Sequence, residues 1–154
     1  MQHRYIFTLE VVPLKLDHTY DALPLHLTLL SRFLTDLKYS QLQQFVKSVF
    51  EKAYEVNLLI DGTAELGPKE TPVYIVRKTD EITQLHNDLC RHLDKIHVTY
   101  EYPEYVQQGY KPHISKRRGF ESNNEDVLVS SRVYLVEIID RKRVVRSRFG
   151  LGKT

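Results

Sequence analysis

Two short motifs, each a histidine followed two residues later by a hydroxyl side chain, constrain this sequence more than any other feature. The first is His-Leu-Thr at residues 26–28 and the second is His-Ile-Ser at residues 113–115. Both lie in strand-forming stretches, and side chains alternate between the two faces of a β-strand. The histidine and the hydroxyl of each motif therefore share one face, and the apolar residue between them takes the other. We predict two strands that are buried on one side and reactive on the other.

Length and composition indicate a single folded domain over residues 1–154. A chain of 154 residues that is 42% hydrophobic and 27% charged can bury a core without disulfides or metal. Cys90, the single cysteine, cannot form an internal disulfide and fits a small buried apolar position. No apolar run approaches the roughly 18 to 20 residues that span a bilayer, and Tyr5–Val12 is too short for a signal peptide. We expect a cytoplasmic monomer with no membrane contact and no obligate protein partner.

The basic residues are clustered, although the net charge of +2 is too small to indicate a nucleic-acid-binding protein by itself. Lys116, Arg117 and Arg118 directly follow the second motif, and further basic residues crowd residues 141–148. Either cluster would attract a phosphate-bearing partner. For residues 141–148 there is an equally good alternative, a solvated hairpin edge that resists aggregation.

Hydrophobic periodicity predicts an α+β fold with two helices and about seven strands. One helix opens at Ser40, with Gln43 completing a capping box, and the other follows Thr79 or Asp80. The apolar stripes are Leu42, Phe45, Val46, Val49, Phe50 and Ala53 in the first helix, and Ile82, Leu85, Leu89, Leu93 and Ile96 in the second. The predicted strands are residues 4–12, 25–33, 56–60 ending at Asp61-Gly62, 73–77, 111–117, 127–139 divided near Ser130-Ser131, and 144–149, with loops at 14–24 and 118–126.

Two histidines that face one cleft can act as an acid and a base. Imidazole titrates near neutral pH, so one ring can accept a proton while the other donates one. Opening a 2′,3′-cyclic phosphate or cleaving a phosphodiester requires one group to deprotonate the attacking oxygen and another to protonate the departing one. Thr28 and Ser115 would donate hydrogen bonds to the non-bridging phosphate oxygens. This chemistry needs no metal and no cofactor.

These residues resemble the paired signatures of the two-histidine phosphoesterase superfamily, which includes 2′-5′ RNA ligases and cyclic nucleotide phosphodiesterases. The resemblance rests on residues 26–28 and 112–115 and extends over most of the chain, because length, motif separation and order of elements agree. It implies an α+β fold of two pseudo-symmetric lobes, each an antiparallel sheet with helices outside, around a central cleft. Carried over residue by residue, it implies that the catalytic residues are His26 and His113 and the phosphate-binding residues are Thr28 and Ser115.

Strand alternation predicts two arginines at the same cleft. Arg117 returns to the polar face of the second motif strand, where it would contact phosphate. Arg32 does the same in the first strand, although Leu30 would then lie on that polar side as well. Lys116 stands where the superfamily has an apolar residue. Either the strand ends there or the lysine extends its ammonium to solvent.

The connector at residues 100–110 is rich in tyrosine. These rings could stack on a base at the cleft wall, or they could pack in the interior. Tyr110, which directly precedes the second motif strand, is the candidate for substrate binding.

The leading hypothesis is a metal-independent phosphodiesterase that acts on 2′,3′-cyclic phosphate or 2′-5′ linked RNA or nucleotide substrates. A first alternative is a non-catalytic module that binds RNA or nucleotides, with residues 116–118 and 141–148 supplying affinity. A second alternative keeps the chemistry but takes cyclic oligonucleotide signals as substrates. Either histidine can serve as the base, depending on the direction of the reaction and the pose of the substrate.

Overall fold

The computed structural model describes residues 1–117 and 119–152. Arg118, one of the basic residues beside the second motif, lies outside these described ranges. The elements are β1 His3–Glu10, β2 Thr19–Tyr20, β3 His26–Thr35, α1 Tyr39–Glu51, β4 Val56–Leu66, β5 Thr71–Val76, α2 Asp80–Asp94, β6 Thr99–Tyr100, β7 His113–Ser115, β8 Val127–Ser130, β9 Arg132–Ile139 and β10 Lys142–Gly150, with 3₁₀ turns at Pro103–Tyr105 and Gln107–Gly109. Within the described ranges, no helix combines the length and the apolar content needed to cross a bilayer.

The strands form a curled antiparallel sheet in which the two motif strands are neighbours. The order is β2-β10-β9-β1-β3-β7-β5-β4-β8, and β6 pairs separately with β3. Moving outward from the central pair, β1 corresponds to β5, β9 to β4 and β10 to β8. Each half of the sheet therefore has the same succession of strands about the β3–β7 contact. This arrangement confirms the predicted α+β fold with two pseudo-symmetric lobes.

Both helices cover the apolar face of this sheet. α1 packs against β9 and β10, α2 packs against β4, and the helices contact each other. Leu27 and Ile114, the central residues of the two motifs, are 0% exposed and belong to the same core as both helical stripes. Burying a side chain of this kind contributes about 1.5–3 kcal/mol. The predicted apolar stripes are confirmed, and so is the division of residues 127–139 into two strands.

The opposite face of β1, β9 and β10 is covered as well. Leu14 and Leu23, in the predicted loop at residues 14–24, are buried against Ile6 and Val136. The loop lies beside the polar face of β3 without covering it. Its residues Ala22 and Leu23 therefore form one wall of the cleft.

The predicted start of α1 and the predicted end of the strand at residue 56 were wrong. α1 begins at Tyr39, and the amide of Lys38 donates to Oε1 of Gln41 at 2.9 Å, so the capping pair lies two residues before the predicted one. The strand at residue 56 does not end at Asp61-Gly62 but continues to Leu66. Gly62 has φ +101° within a register shift of β4, so its left-handed backbone makes a bulge instead of a turn.

β3 is irregular opposite β1, and this irregularity changes which side chains reach the cleft. Thr28 faces Thr8 and Leu30 faces Phe7, so Leu29 is an extra residue in the ladder. Leu29 and Leu30 are consequently both buried in the core at 0% exposure. Strict alternation had predicted that Leu30 would lie on the polar face. The bulge places it in the core instead.

A second irregularity follows directly. Phe33 faces Tyr5 and Leu30 faces Phe7, so the two residues Ser31 and Arg32 lie opposite Ile6 alone. Both line the cleft. The prediction that Arg32 faces the cleft is confirmed, and Ser31 joins it because of the bulge.

Along the other edge of β3, side chains bind backbone carbonyls that no strand in the described ranges pairs with. β7 meets β3 at Leu27 and β6 meets it at Phe33 and Leu34, which leaves the carbonyls between these points without strand partners. The Tyr110 hydroxyl donates to the Thr28 carbonyl at 2.9 Å, and His86 Nδ1 donates to the Leu29 carbonyl at 2.7 Å. The two rings stack at 4.0 Å. His86 and Tyr110 therefore hold β3 in place directly behind the first motif.

His86 is neutral in this position. Its Nε2 accepts a hydrogen bond from the Gln107 amide at 2.8 Å, so the ring proton must be on Nδ1. Burial lowers the pKa of His86, with Lys78 adding to the effect and the Leu29 carbonyl opposing it. The helical pattern indicated an apolar stripe on α2, and this fully buried histidine within it was not predicted.

The Tyr110→Phe substitution should lower the free energy of unfolding by about 1–3 kcal/mol, because it leaves the Thr28 carbonyl without a donor. Chemical denaturation at pH 7.5 measures this change. Tyr54→Phe is the matched control, since Tyr54 is 66% exposed and its variant should be as stable as the parent. Equal stability of all three proteins would contradict a supporting role for the Tyr110 hydroxyl.

Candidate active site

The two motifs lie side by side on one face of the sheet. β3 and β7 are antiparallel, with Leu27 opposite Ile114. This register places His26 opposite Ser115 and Thr28 opposite His113, all on the face away from the core. The two histidines occupy one diagonal of this group and the two hydroxyls occupy the other. Diagonal neighbours across an antiparallel pair have Cα atoms about 7–8 Å apart, which leaves room for a phosphoryl group between the rings.

Both imidazole rings are anchored in the same way. Nδ1 of His26 lies 2.8 Å from the Pro24 carbonyl, and Nδ1 of His113 lies 2.7 Å from the Lys111 carbonyl. Each carbonyl belongs to the residue two positions earlier. Because a carbonyl oxygen only accepts, Nδ1 carries the proton in each ring, and Nε2 is left as the atom available for proton exchange.

The surroundings of His26 favour its neutral form. Burial is the largest cause that lowers the pKa of His26, and the positive charge of Arg117, of His113 when protonated and of Arg143 lowers it further. The hydrogen bond to the Pro24 carbonyl acts in the opposite direction. At neutral pH, His26 is therefore suited to accept a proton.

A cavity of about 250 Å³ opens beside His26 and Thr28. Its apolar wall is formed by Ile6, Ala22, Leu23 and Ile138, and its remaining polar lining by Ser31, Arg32, Arg117 and Arg143. His113 and Ser115 lie next to the first motif on β7 and do not line this cavity. The cavity therefore extends from His26 toward β1, β9 and β10.

Arg143 reaches the cavity from the other end of the chain. It lies opposite Ile138 on β10, and its guanidinium donates to the Asp21 carbonyl at 3.2 Å and the Arg141 carbonyl at 2.8 Å. The sequence marked residues 141–148 only as a basic cluster. It contained no signal that one member would share a cavity with the first motif.

The structure corrects the prediction for Tyr110. This side chain is 5% exposed, and its hydroxyl is bound to the Thr28 carbonyl. It therefore positions the first motif strand from behind instead of contacting substrate at the cleft surface. The interior role, one of the two alternatives for the connector tyrosines, applies to Tyr110.

Lys116 is accommodated without disturbing the second motif. β7 ends at Ser115, and the Lys116 ammonium lies 5.0 Å from the centroid of the Tyr74 ring. A cation over an aromatic face is stabilised electrostatically. Arg117, one residue further, lines the cavity as predicted.

The family to which the chain belongs follows from a comparison with family models. The model of the 2′-5′ RNA ligase superfamily matches residues 3–124, a range that includes both motifs. The chain therefore belongs to the 2′-5′ RNA ligase superfamily, as its paired motifs had indicated. No curated protein sequence is significantly similar to the chain.

Solved structures share the fold over nearly the whole chain. A crystal structure of a phosphoesterase has a TM-score of 0.64 at 14% identity, covering 98% of this chain and 99% of that one. LigT of E. coli complexed with 3′-AMP has a TM-score of 0.61 at 13% identity, with 98% and 99% coverage. The protein TT0787 of Thermus thermophilus has a TM-score of 0.56 at 18% identity, with 97% and 98% coverage. At these identities the similarity establishes the fold alone.

The Arg117→Gln substitution should raise the pKa of His26, because it removes a positive charge that lowers the pKa of this ring. Titration of the histidine ring signals by ¹H–¹⁵N NMR measures the change. Arg148→Gln removes the same charge from an exposed position outside the cavity and should leave the His26 titration unchanged. Identical His26 titrations in the parent and the Arg117 variant would contradict the electrostatic contribution of Arg117.

Proposed function

We propose that this protein is a metal-independent phosphodiesterase that hydrolyses 2′,3′-cyclic phosphates or 2′-5′ linkages in RNA or nucleotides. The observation that carries the proposal is the diagonal placement of His26 and His113, with both rings anchored through Nδ1 and both Nε2 atoms left for proton exchange. Membership of the 2′-5′ RNA ligase superfamily supports it.

In the proposed reaction, the phosphorus atom lies between the two imidazoles. Nε2 of His26 accepts a proton from water as the new oxygen–phosphorus bond forms. The bond from phosphorus to the leaving ribose oxygen breaks, and protonated His113 gives its Nε2 proton to that oxygen. The lowered pKa of His26 supports its assignment as the base. Proton transfer by each positioned group contributes about 10²–10⁴ in rate.

The hydroxyls on the other diagonal stabilise the negative charge that develops on the non-bridging phosphate oxygens. Thr28 is opposite His113 and Ser115 is opposite His26, so each non-bridging oxygen can meet a hydroxyl while the histidines act along the line of attack. Hydrogen bonds placed where charge grows are worth more in the transition state than in the ground state. Arg117, at the cavity lining, adds a guanidinium on the same side.

His26→Ala and His113→Ala should each reduce kcat for hydrolysis of a 2′,3′-cyclic nucleotide by at least about 10²-fold, because each removes one of the two proton transfers. EDTA should not change the parent activity. The measurement is product formation by chromatography, together with circular dichroism to show that the variants are folded. His18→Ala is the matched control, since His18 is exposed in the 14–24 loop and its variant should retain full activity.

Hydrolysis by the double variant His26→Ala/His113→Ala at the parent rate would contradict the proposed catalytic pair. Binding of nucleotides by the parent protein, without product from any cyclic phosphate, 2′-5′ dinucleotide or cyclic dinucleotide, would replace the proposal with the non-catalytic binding module.

A further inference from the structure

The cavity beside His26 contains more positive charge than one reacting phosphodiester requires. Arg32, Arg117 and Arg143 all line it, and none of its lining residues is acidic. None of the three guanidiniums forms an ion pair with a carboxylate within residues 1–117 and 119–152. Positive charge gathered in a concave site without a protein counter-charge is suited to an anionic ligand.

Four acidic side chains, two on the surrounding strands and two on the adjoining loops, are engaged elsewhere. The Asp21 carboxylate pairs with Lys142, and Glu101 pairs with Arg4. Glu137 is held between His3 at 3.1 Å and Arg146 at 2.8 Å, and Glu10 binds the Tyr134 hydroxyl and lies 3.7 Å from Arg132. In the part of the chain that the structure describes, the arginines of the cavity are therefore left without a carboxylate, because these four carboxylates already have cationic or hydroxyl partners.

Two of these arginines are attached to the sheet at positions away from the β3–β7 contact, although their side chains share the cavity with His26. A phosphoryl group between His26 and His113 lies over the β3–β7 contact. Arg143 comes from β10, three strands from β3, which corresponds to roughly 14 Å along a flat sheet before curling and side-chain reach are considered. Arg32 reaches the cavity through the second irregularity in β3, beyond Thr28 along the strand.

Both arginines are also half-buried, and the guanidinium of Arg143 is constrained by hydrogen bonds. Two backbone carbonyls, those of Asp21 and Arg141, hold the guanidinium of Arg143. Arg32 is fixed at the backbone, where its carbonyl accepts from the Glu101 amide at 3.0 Å. The guanidinium of Arg143, held by the carbonyls of Asp21 and Arg141, loses less rotamer freedom when it binds phosphate. The planar fork of donors in both arginines matches phosphate oxygens.

We propose that Arg32 and Arg143 form a second phosphate subsite, so that preferred substrates carry a phosphate in addition to the one that reacts. The inference rests on the proposed function, because it takes the His26–His113 position as the site of the reacting phosphate. The chemical class is a nucleotide or RNA end with a further phosphate on its 5′ side. That phosphate is either a terminal monoester or the diester of a preceding nucleotide.

Equilibrium binding to the full chain tests the subsite without requiring turnover. Adenosine 3′,5′-bisphosphate should bind at least about tenfold more tightly than adenosine 3′-monophosphate, as expected for charge-assisted hydrogen bonds to phosphate. Arg32→Gln and Arg143→Gln should each reduce this ratio toward one. Arg148→Gln, an equal charge change on the same strand as Arg143 but outside the cavity, should preserve it. The comparison uses two ligands on one protein, so a partly unfolded fraction in a variant affects both alike.

Equal affinity for the two ligands in the parent protein would overturn the proposal, and so would a ratio that survives both substitutions. Turnover then separates this inference from the proposed function. If 2′,3′-cyclic AMP and its 5′-phosphorylated form are hydrolysed with equal kcat/KM, the subsite is refuted while the phosphodiesterase activity stands. If neither is hydrolysed but the bisphosphate preference and its loss in the variants remain, the activity is refuted while the subsite stands.

The source of the second phosphate is resolved with a third substrate. The dinucleotide ApA with a terminal 2′,3′-cyclic phosphate carries an internal diester in place of the 5′ monoester. A preference for this dinucleotide that depends on Arg32 and Arg143 assigns the subsite to the RNA backbone. The same preference for the 5′-phosphorylated mononucleotide alone assigns it to a terminal phosphate.

Discussion

The candidate site depends on one point of pairing, where Leu27 of β3 faces Ile114 of β7. Both side chains are fully buried, so the apolar core fixes this register, and the polar neighbours of both residues are carried to the opposite face. A slip of one residue would turn His113 and Ser115 into the core and expose Ile114. The hydrophobic energy of two ordinary core residues therefore determines the geometry of a polar site.

The strands around this pairing are shaped by departures from regular β-structure. The bulges of β3 place Leu29 and Leu30 together in the core and bring Ser31 and Arg32 together to the cleft. A bulge leaves backbone groups without ladder partners, and here His86 and Tyr110 bind the carbonyls of Leu29 and Thr28. The helix α2 and the connector before β7 thus support the motif strand from behind, which explains a buried, neutral histidine in an otherwise apolar stripe.

The predictions that succeeded concerned patterns within one segment. Helical periodicity located both helices and their buried faces, and strand alternation placed each motif histidine on the face of its hydroxyl. Two of the predictions that failed required knowledge of a partner segment. The local sequence Asp61-Gly62 predicted a turn, but β4 continues to pair with β5 after Gly62. The position of Tyr110 before the second motif predicted a cleft residue, but its hydroxyl donates to the Thr28 carbonyl of β3.

The sequence by itself determined the α+β class, the two motifs and their superfamily, because alternation and motif spacing depend only on neighbouring residues. The tertiary structure alone decided that the motifs form two diagonals, that Arg143 joins a cavity with His26, and that the environment of His26 favours the neutral ring. These features arise where segments distant in the chain meet. The packing of the whole core fixes the register in which these segments pair. Burial and nearby charge act on a side chain only after the sheet has formed.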